Sequence, residues 1–413
     1  MELLRTDTLE EAREKLEAQT KDFVLRTSRV EIEKALGRIC AADVRSKENV
    51  PAFRRSTVDG YAVAASDTYG AGEAGPVFFK VRGHVRIEEQ AEMCLGAQDA
   101  AQVQTGSMLP EGATAVVMSE YTENYAAGKI ACCRAVSEGE NVIRQGEDIR
   151  EGECIIARGR RISAADIGMM ASLGITELEV FEPLEVTVIS TGDELADIRE
   201  PLGAGKIRDI NTYTLAAEAA ECGMHVRKCI RVRDDREAIR SAVTEAAGES
   251  DIVLMSGGSS KGDKDYTRST LEEVSHNVFT CGISIKPGKP TILAYDRERQ
   301  TVLAGLPGHP MAAALMFRLL IADWNDRKAG RKKRLSCPAV MRENVSSNQG
   351  RTTCLPVKLE PFRDEAGNAG YEAVPVYAKS GSISALAKAD GFIIIPRDRE
   401  GLKKGEPVQA ELL

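Results

Sequence analysis

The stretch that most constrains what this chain can fold into runs from Asp251 to Thr267 and reads DIVLMSGGSSKGDKDYT. It opens with a short apolar run stopped by Ser256-Gly257-Gly258, the pattern of a buried strand ending in a turn. Small residues from Ser256 through Ser259 to Gly262 let the backbone approach a ligand closely, and successive N–H groups can cradle an anion. A helical pattern begins at Thr267. Strand, glycine turn and helix N-terminus then follow in the order that receives a phosphate. Asp263 and Asp265 lie beside this cradle, and carboxylates there would repel a phosphate unless a Mg²⁺ lay between them. An ordinary tight turn with surface acids reads equally well from this stretch alone. The glycine spacing fits neither the Walker pattern nor GxGxxG.

A chain of 413 residues predicts two to four domains. With 55 basic and 63 acidic residues the net charge is −8, which weighs against a nucleic-acid partner. The one dense basic run, Arg327 to Arg334, sits where a solvated linker is expected. No apolar stretch is long enough for a membrane span, and the N-terminus does not read as a signal peptide. The ten cysteines show no C-x-x-C spacing, so reduced thiols and a cytoplasmic location are expected. The four histidines are scattered, which gives a histidine metal site or triad little support.

In chain order, Thr8 to Glu11 reads as a capping box opening a helix, and Ser28 to Glu31 as a second box opening a helix through Leu36. From Ala41 to about Ile143, short Val/Ile/Phe runs alternate with turns, as in an all-β region. Inside it the loop 51–63 crowds Arg54, Arg55, Ser56, Thr57 and Asp59 together, and Thr105 and Ser107 are candidate ligand donors. Ser163 and Gly174 bracket a helix. From Leu184 the period switches to βαβα, with helices expected over 211–222 and 311–324. This implies a mostly parallel sheet that binds ligands at strand C-termini. Residues 335–413 read as a last β-rich segment.

Three loops end strands in the α/β region: TGDEL at 191–195, SGGSSKGDKD at 256–265 and GLPGHP at 305–310. Parallel strands would gather them on one rim, carrying Asp193, Glu194, Asp263 and Asp265 with Asp234 nearby. That density of carboxylates again points to a shared cation. Lys286 and Lys289, in KPGKP, lie close to the rim in sequence and could hold an anion. Arg351 and Ser380 are further candidate oxyanion ligands.

With these loops collected, the sequence resembles the molybdopterin molybdenumtransferase family, bacterial molybdenum-insertion enzymes related to the eukaryotic gephyrin E domain. The resemblance covers nearly the whole chain. It is carried by STVDGYAV at 56–63, TGSMLPEGATAVV at 105–117, GEDIREGE at 146–153, STGDEL at 190–195, SGGSSKGDKDYT at 256–267, KPGKP at 286–290, GLPGHP at 305–310 and SGSISALAKADGFIIIP at 380–396. It implies an elongated α/β and β multidomain chain of four domains. These are 1–26 with 178–326 as a molybdopterin-binding-type α/β domain, 27–45 with 146–177 as a linking domain, 46–145 as an inserted β-rich domain and 327–413 as a β-rich C-terminal domain. It also implies a homodimer, with molybdopterin adenylyltransferase and downstream molybdoenzymes or their chaperones as partners.

The activity implied is Mg²⁺-dependent cleavage of the phosphoanhydride of adenylylated molybdopterin, with molybdate inserted and AMP released. The resemblance places Asp59, Glu194, Asp265 and Asp234 in catalysis, the last three holding Mg²⁺. It assigns Thr105, Ser190, Thr191, Gly192, Asn211, Gly257, Gly258, Ser259, Gly262, Pro307 and Gly308 to the pterin nucleotide, and Lys286, Lys289, Arg351 and Ser380 to molybdate. Asp59 and Thr105 would serve the partner subunit's site. The chain departs from the family pattern at Ser259-Ser260-Lys261 in the glycine loop, at His309 in GLPGHP, at Ala312 and at Asp209-Ile210-Asn211. These departures leave molybdate against tungstate open. A non-catalytic molybdopterin-binding or scaffold paralogue is the competing class.

Overall fold

A computed structural model describes residues 6–257, 266–331, 335–347, 349–363, 367, 369–379 and 381–413. The chain divides into two compact units. One comprises Met1–Ser28, Gly37–Ala41 and Val180–Leu413, the other Arg29–Leu36 and Ala42–Glu179.

The first unit contains a six-stranded sheet in the spatial order His225–Val232, Glu185–Thr191, Ile252–Ser256, Thr301–Leu306, Ile292–Asp296, Val278–Cys281. The first four strands are mutually parallel. Ile292–Asp296 runs antiparallel to both its neighbours, so the sheet is mixed at that edge. The central strands are buried on both faces, as sheets flanked by helices are. On one face Val186, Val188, Leu254 and Ala304 pack with Leu9, Leu16, Leu215 and Ala219 of the helices Leu9–Gln19 and Asn211–Glu221. On the other, Ile189, Val253, Met255 and Leu303 pack with Ile239, Val243, Leu271 and Val274 of Arg236–Glu249 and Tyr266–Ser275. Thr8 caps the first helix with Glu11 as a reciprocal box. The helix expected over 311–324 starts one residue earlier, at Pro310, and continues to Lys328 with a π-helical turn at Phe317–Ala322. Arg327 therefore lies on a helix, paired with Asp323 one turn back at 2.7 Å, rather than in a linker.

The C-terminal strands Thr352–Arg363, Ala369–Pro375, Ser336–Met341, Pro407–Leu412 and Gly391–Ile395 pair in that order. The last returns to the first, which closes a five-stranded barrel around Val357, Ala373, Ile393, Ile395 and Ala410.

The second unit holds a six-stranded sheet ordered Ala115–Met118, Gly60–Val63, Asp99–Val103, Val77–Val85, Lys129–Cys132, Thr122–Ala126. Adjacent residues divide between its faces: Val63, Ala100 and Val117 enter one core, Ala62, Ala101 and Val116 the other. Ser163 caps Ala164–Ser172 through a box with Asp166, and Gly174 follows at φ 64°.

The second expected box is overturned. Thr27–Glu31 is a strand and Ile32–Lys34 a single 3-10 turn. Its backbone pairs with Glu177–Phe181, and the Ile32 N–H donates to Thr176 O at 3.0 Å. A ladder with residues far along the chain overrides a local cap pattern.

Candidate functional site

Parallel strands with aligned ends create the rim. Ser190, Ser256 and Leu306 occupy the same register on three adjacent strands, so Thr191, the last residue of its strand, lies with Gly257 and Pro307 at one edge. Because Ile292–Asp296 runs the other way, with Ile292 opposite Gly305, the 286–291 segment reaches that edge too. The strand ends touch. A β-carbon on Gly257, whose φ is 111°, would lie 2.2 Å from Thr191 O, and one on Gly308 would lie 3.8 Å from Gly257 Cα. Gly257 O in turn accepts from Thr267 Oγ1 at 3.1 Å, which ties the strand end to the first turn of Tyr266–Ser275. Gly258, Ser259, Lys261, Gly262, Asp263, Asp265 and Ser380 lie outside the described residues.

Beneath the rim is a polar network that sequence reasoning found only in part. Ser190 Oγ lies 2.7 Å from Thr212 Oγ1 and donates to Asp209 Oδ1 at 3.2 Å. Asp209 also accepts from Thr212 N at 3.1 Å and from Thr212 Oγ1 at 2.6 Å. Alongside it, Asn211 Nδ2 donates to Ser256 Oγ at 2.5 Å and to Gly308 O at 2.8 Å. Asp209 and Thr212 were missed as partners. The signal was Asp209 three residues before Thr212 at a helix start, where a carboxylate accepts from a free backbone N–H. The carbonyl of Gly308 can only accept, which fixes the Asn211 amide with its oxygen turned away. Among the described residues that Oδ1 and Thr191 Oγ1 are buried and have no hydrogen-bond partner. Such atoms cost about 1–3 kcal/mol each unless satisfied, so they mark where a ligand's polar groups would be repaid.

The acids divide by role. Asp235 caps Arg236–Glu249 by accepting from Ala238 N at 2.8 Å. Asp193 and Asp234 each accept from the other's backbone N–H at 3.3 Å, which brings two adjacent strand ends together. The Glu194 carboxylate folds over Gly192, where an added β-carbon would lie 2.7 Å from its Oε2. Lys206 Nζ donates to Asp193 O. Among the described residues no three His, Cys, Asp or Glu side chains group as a metal site. Glu194 and Asp234 supply the hard carboxylate oxygens that suit Mg²⁺.

The basic residues gather at a different strand. Ile285–Lys286 pairs in parallel with Thr352–Thr353 of the barrel, and Thr352 N donates to Ser284 O at 3.0 Å. This places Arg351 and Lys286 on adjoining backbones. Lys289 is exposed and follows Gly288, where a β-carbon would lie 2.5 Å from Met316 Sδ. Behind this ladder, burial pushes the Cys354 thiol well up, which makes it a packing group rather than a nucleophile.

In the other unit, Asp59 and Thr105 meet. Asp59 Oδ1 accepts from Thr105 N at 2.7 Å and from Thr105 Oγ1 at 3.1 Å. Gly60 follows because a β-carbon there would lie 2.0 Å from Val117 O. Ser107 is buried and accepts from Gln104 N at 3.1 Å, which makes it a turn residue.

Comparison with known proteins gives this geometry a lineage. Residues 7–174 match the family described as MoeA N-terminal region (domain I and II), 187–326 the probable molybdopterin binding domain, and 338–413 the MoeA C-terminal region (domain IV). The chain is 31% identical over 407 residues to the molybdopterin molybdenumtransferase of Haemophilus influenzae, covering 98% of both chains. To that of Bacillus subtilis it is 31% identical over 406 residues, covering 94% of this chain and 90% of the relative. A crystal structure of a molybdopterin biosynthesis moea protein from Pyrococcus horikosii superposes with a TM-score of 0.81 at 36% identity, covering 99% of each chain. The chain belongs to the molybdopterin molybdenumtransferase family.

Proposed function

We propose that this chain inserts molybdate into adenylylated molybdopterin, cleaving the phosphoanhydride and releasing AMP and molybdenum cofactor. One observation carries the reading: a strand-end rim with two unsatisfied buried polar atoms lies at the same sheet edge as the segment leading from Lys286, and Lys286 adjoins Arg351. The rim suits a pterin nucleotide and the cations suit an oxyanion. Its frame is the four-part division 1–26 with 178–326, 27–45 with 146–177, 46–145 and 327–413.

In this reading Ser190, Thr191, Gly192, Asn211, Gly257, Pro307 and Gly308, with Gly258, Ser259 and Gly262 of the glycine loop, hold the nucleotide. Lys286, Lys289, Arg351 and Ser380 hold molybdate. Glu194, Asp234 and Asp265 would hold Mg²⁺, which when bound offsets phosphate charge. The close approach of Gly257 to Thr191 O leaves no room for a side chain at this point of the rim. Asp59 orients Thr105 through two hydrogen bonds, and in a homodimer that pair would serve the partner's cleft. Among the described residues no helix is long and apolar enough to cross a membrane, and the reading keeps a cytoplasmic setting beside molybdopterin adenylyltransferase and molybdoenzymes.

The test is AMP release from adenylylated molybdopterin with Mg²⁺ and either molybdate or tungstate. Molybdate-dependent release that is lost in Asp265→Ala is expected. Release with tungstate only revises the anion. Tight binding without release under either anion overturns the enzyme in favour of a scaffold paralogue.

A further inference from the structure

Asn211 is held on both sides, and the holding begins at a residue that the proposed reading leaves out. Asn211 is the first residue of the helix Asn211–Glu221, and Ile210 before it has no polar side chain with which to cap that helix. The capping falls to Asp209, which is only 5% exposed. Its carboxylate accepts from Thr212 N at 3.1 Å, from Thr212 Oγ1 at 2.6 Å and from Ser190 Oγ at 3.2 Å. A carboxylate can only accept, so it draws both hydroxyl protons inward, at the positive end of the helix dipole. Asp209 N donates to Ala196 O at 3.2 Å, which ties the helix start to the short ladder of Leu195–Ala196 with Ile207–Arg208. The Asn211 amide is then set by its own bonds. One Nδ2 proton goes to Gly308 O at 2.8 Å and the other to Ser256 Oγ at 2.5 Å, whose hydroxyl donates onward to Pro307 O at 3.4 Å. With both amide protons engaged, the side chain keeps one free capacity, the acceptor Oδ1, which has no partner among the described residues. Asn211 is 8% exposed.

Resting on the proposed function, we infer that Asp209 is a positioning residue for this amide, and that Asn211 Oδ1 reads a hydrogen-bond donor of the pterin nucleotide rather than its phosphates. A buried acceptor gains from an N–H or O–H and is left unsatisfied by a phosphate oxygen, which is itself an acceptor. Asp209 touches no ligand in this account. It fixes Thr212 and Ser190, and through Thr212 the backbone on which Asn211 stands. The donor is an N–H of the pterin or adenine ring system or a ribose hydroxyl, groups that share the one property Oδ1 selects.

The experiment measures, on the full chain, equilibrium binding of adenylylated molybdopterin to wild type, Asp209→Asn, Asn211→Ala and the double variant. Asparagine at 209 keeps the size but turns one acceptor oxygen into a donor, so one of the two hydroxyls loses its acceptor. Asp209→Asn is expected to raise Kd about tenfold alone and less than about twofold on top of Asn211→Ala, because nothing is left to position once the amide is gone. A merely structural role would carry the full loss into both backgrounds. Thr212→Val, which removes a hydroxyl held by Asp209, enters the same cycle with the same expectation and decides the matter if Asp209→Asn does not fold. Inorganic pyrophosphate tests the polarity, and its affinity is expected to be unchanged by Asn211→Ala. AMP, IMP and an AMP lacking both ribose hydroxyls locate the donor. A loss with IMP that is absent from Asn211→Ala places it on the adenine amine, a loss with the deoxygenated nucleotide on the ribose, and equal binding of all three on the pterin. No effect of Asp209→Asn in the wild-type background, or its full effect in Asn211→Ala, refutes the positioning role. Weaker pyrophosphate binding by Asn211→Ala refutes the donor assignment. The proposed function stands in both cases. If the wild-type chain does not bind adenylylated molybdopterin, the proposed function falls first and the role of Asp209 falls with it.

Discussion

Replacing Gly257 by alanine tests the backbone contact on which the rim depends. The φ of 111° belongs to a region that side-chain-bearing residues rarely occupy, and holding alanine there costs about 1–3 kcal/mol. The new methyl would also meet Thr191 O at 2.2 Å and Thr191 Oγ1 at 2.8 Å. Relieving that overlap means moving one strand end off another, an overpacking cost of about 1–3 kcal/mol. The sum is roughly 2–6 kcal/mol, a large share of the 5–15 kcal/mol that holds an ordinary domain together. At about 2–4 °C per kcal/mol for a unit of this size, the transition of the α/β unit should fall by roughly 4–24 °C. Gly308→Ala is the matched control, since its β-carbon would lie 3.8 Å from Gly257 Cα in ordinary contact, and its φ is not positive. Differential scanning calorimetry on both variants reads the difference. A Gly257→Ala protein that melts with wild type would refute the claim that the two strand ends touch.

Asn211→Ala removes the donors to Ser256 Oγ and Gly308 O and should cost about 1–3 kcal/mol in urea denaturation, with weaker binding of adenylylated molybdopterin by calorimetric titration; unchanged affinity would remove Asn211 from the ligand's surroundings. Asp59→Asn weakens exposed bonds to Thr105, so less than about 1.5 kcal/mol of stability should be lost while AMP release drops tenfold or more, and a parallel loss of both would reduce Asp59 to a turn residue. Arg82, which donates to Asp99 at 2.7 Å, holds that carboxyl below the usual range. A depressed folded pKa adds stability above the unfolded value near 4 and loses it as pH falls through the folded value. Arg82→Met should therefore be less stable at neutral pH, with the gap to wild type closing below about pH 4 in urea melts. A gap that is constant with pH would show that the pair contributes no ionic stability.

Much of the rim was legible because its determinants are local. Apolar runs ended by glycine gave the strands, and their alternation with helices gave a parallel sheet with strand ends on one edge. Ser163 and Thr8 were legible as caps because the bonds they make span three residues. Ser28 has the same local pattern and forms a strand, since its partner lies near Thr176, some 150 residues away in the chain. The antiparallel direction of Ile292–Asp296 was hidden for the same reason, as was the ladder joining Lys286 to Thr353. Ser347 and Thr353 carry no motif, and only the fold brings their hydroxyls to 2.7 Å. The start of the basic run turned on Asp323, one helical turn before Arg327, a pairing visible in the sequence once the helix is extended, while Lys332, Lys333 and Arg334 lie outside the described residues.

The two-residue ladder between Ile285–Lys286 and Thr352–Thr353 has a consequence for how such a chain can change its diet of metals. In the proposed reading the nucleotide rim, Lys286 and Lys289 belong to the α/β segment, whereas Arg351 belongs to the barrel segment. Under that reading the ladder joins the two halves of one anion site, so an exchange of barrel segments between relatives would replace Arg351's half while leaving the lysines and the nucleotide rim in place.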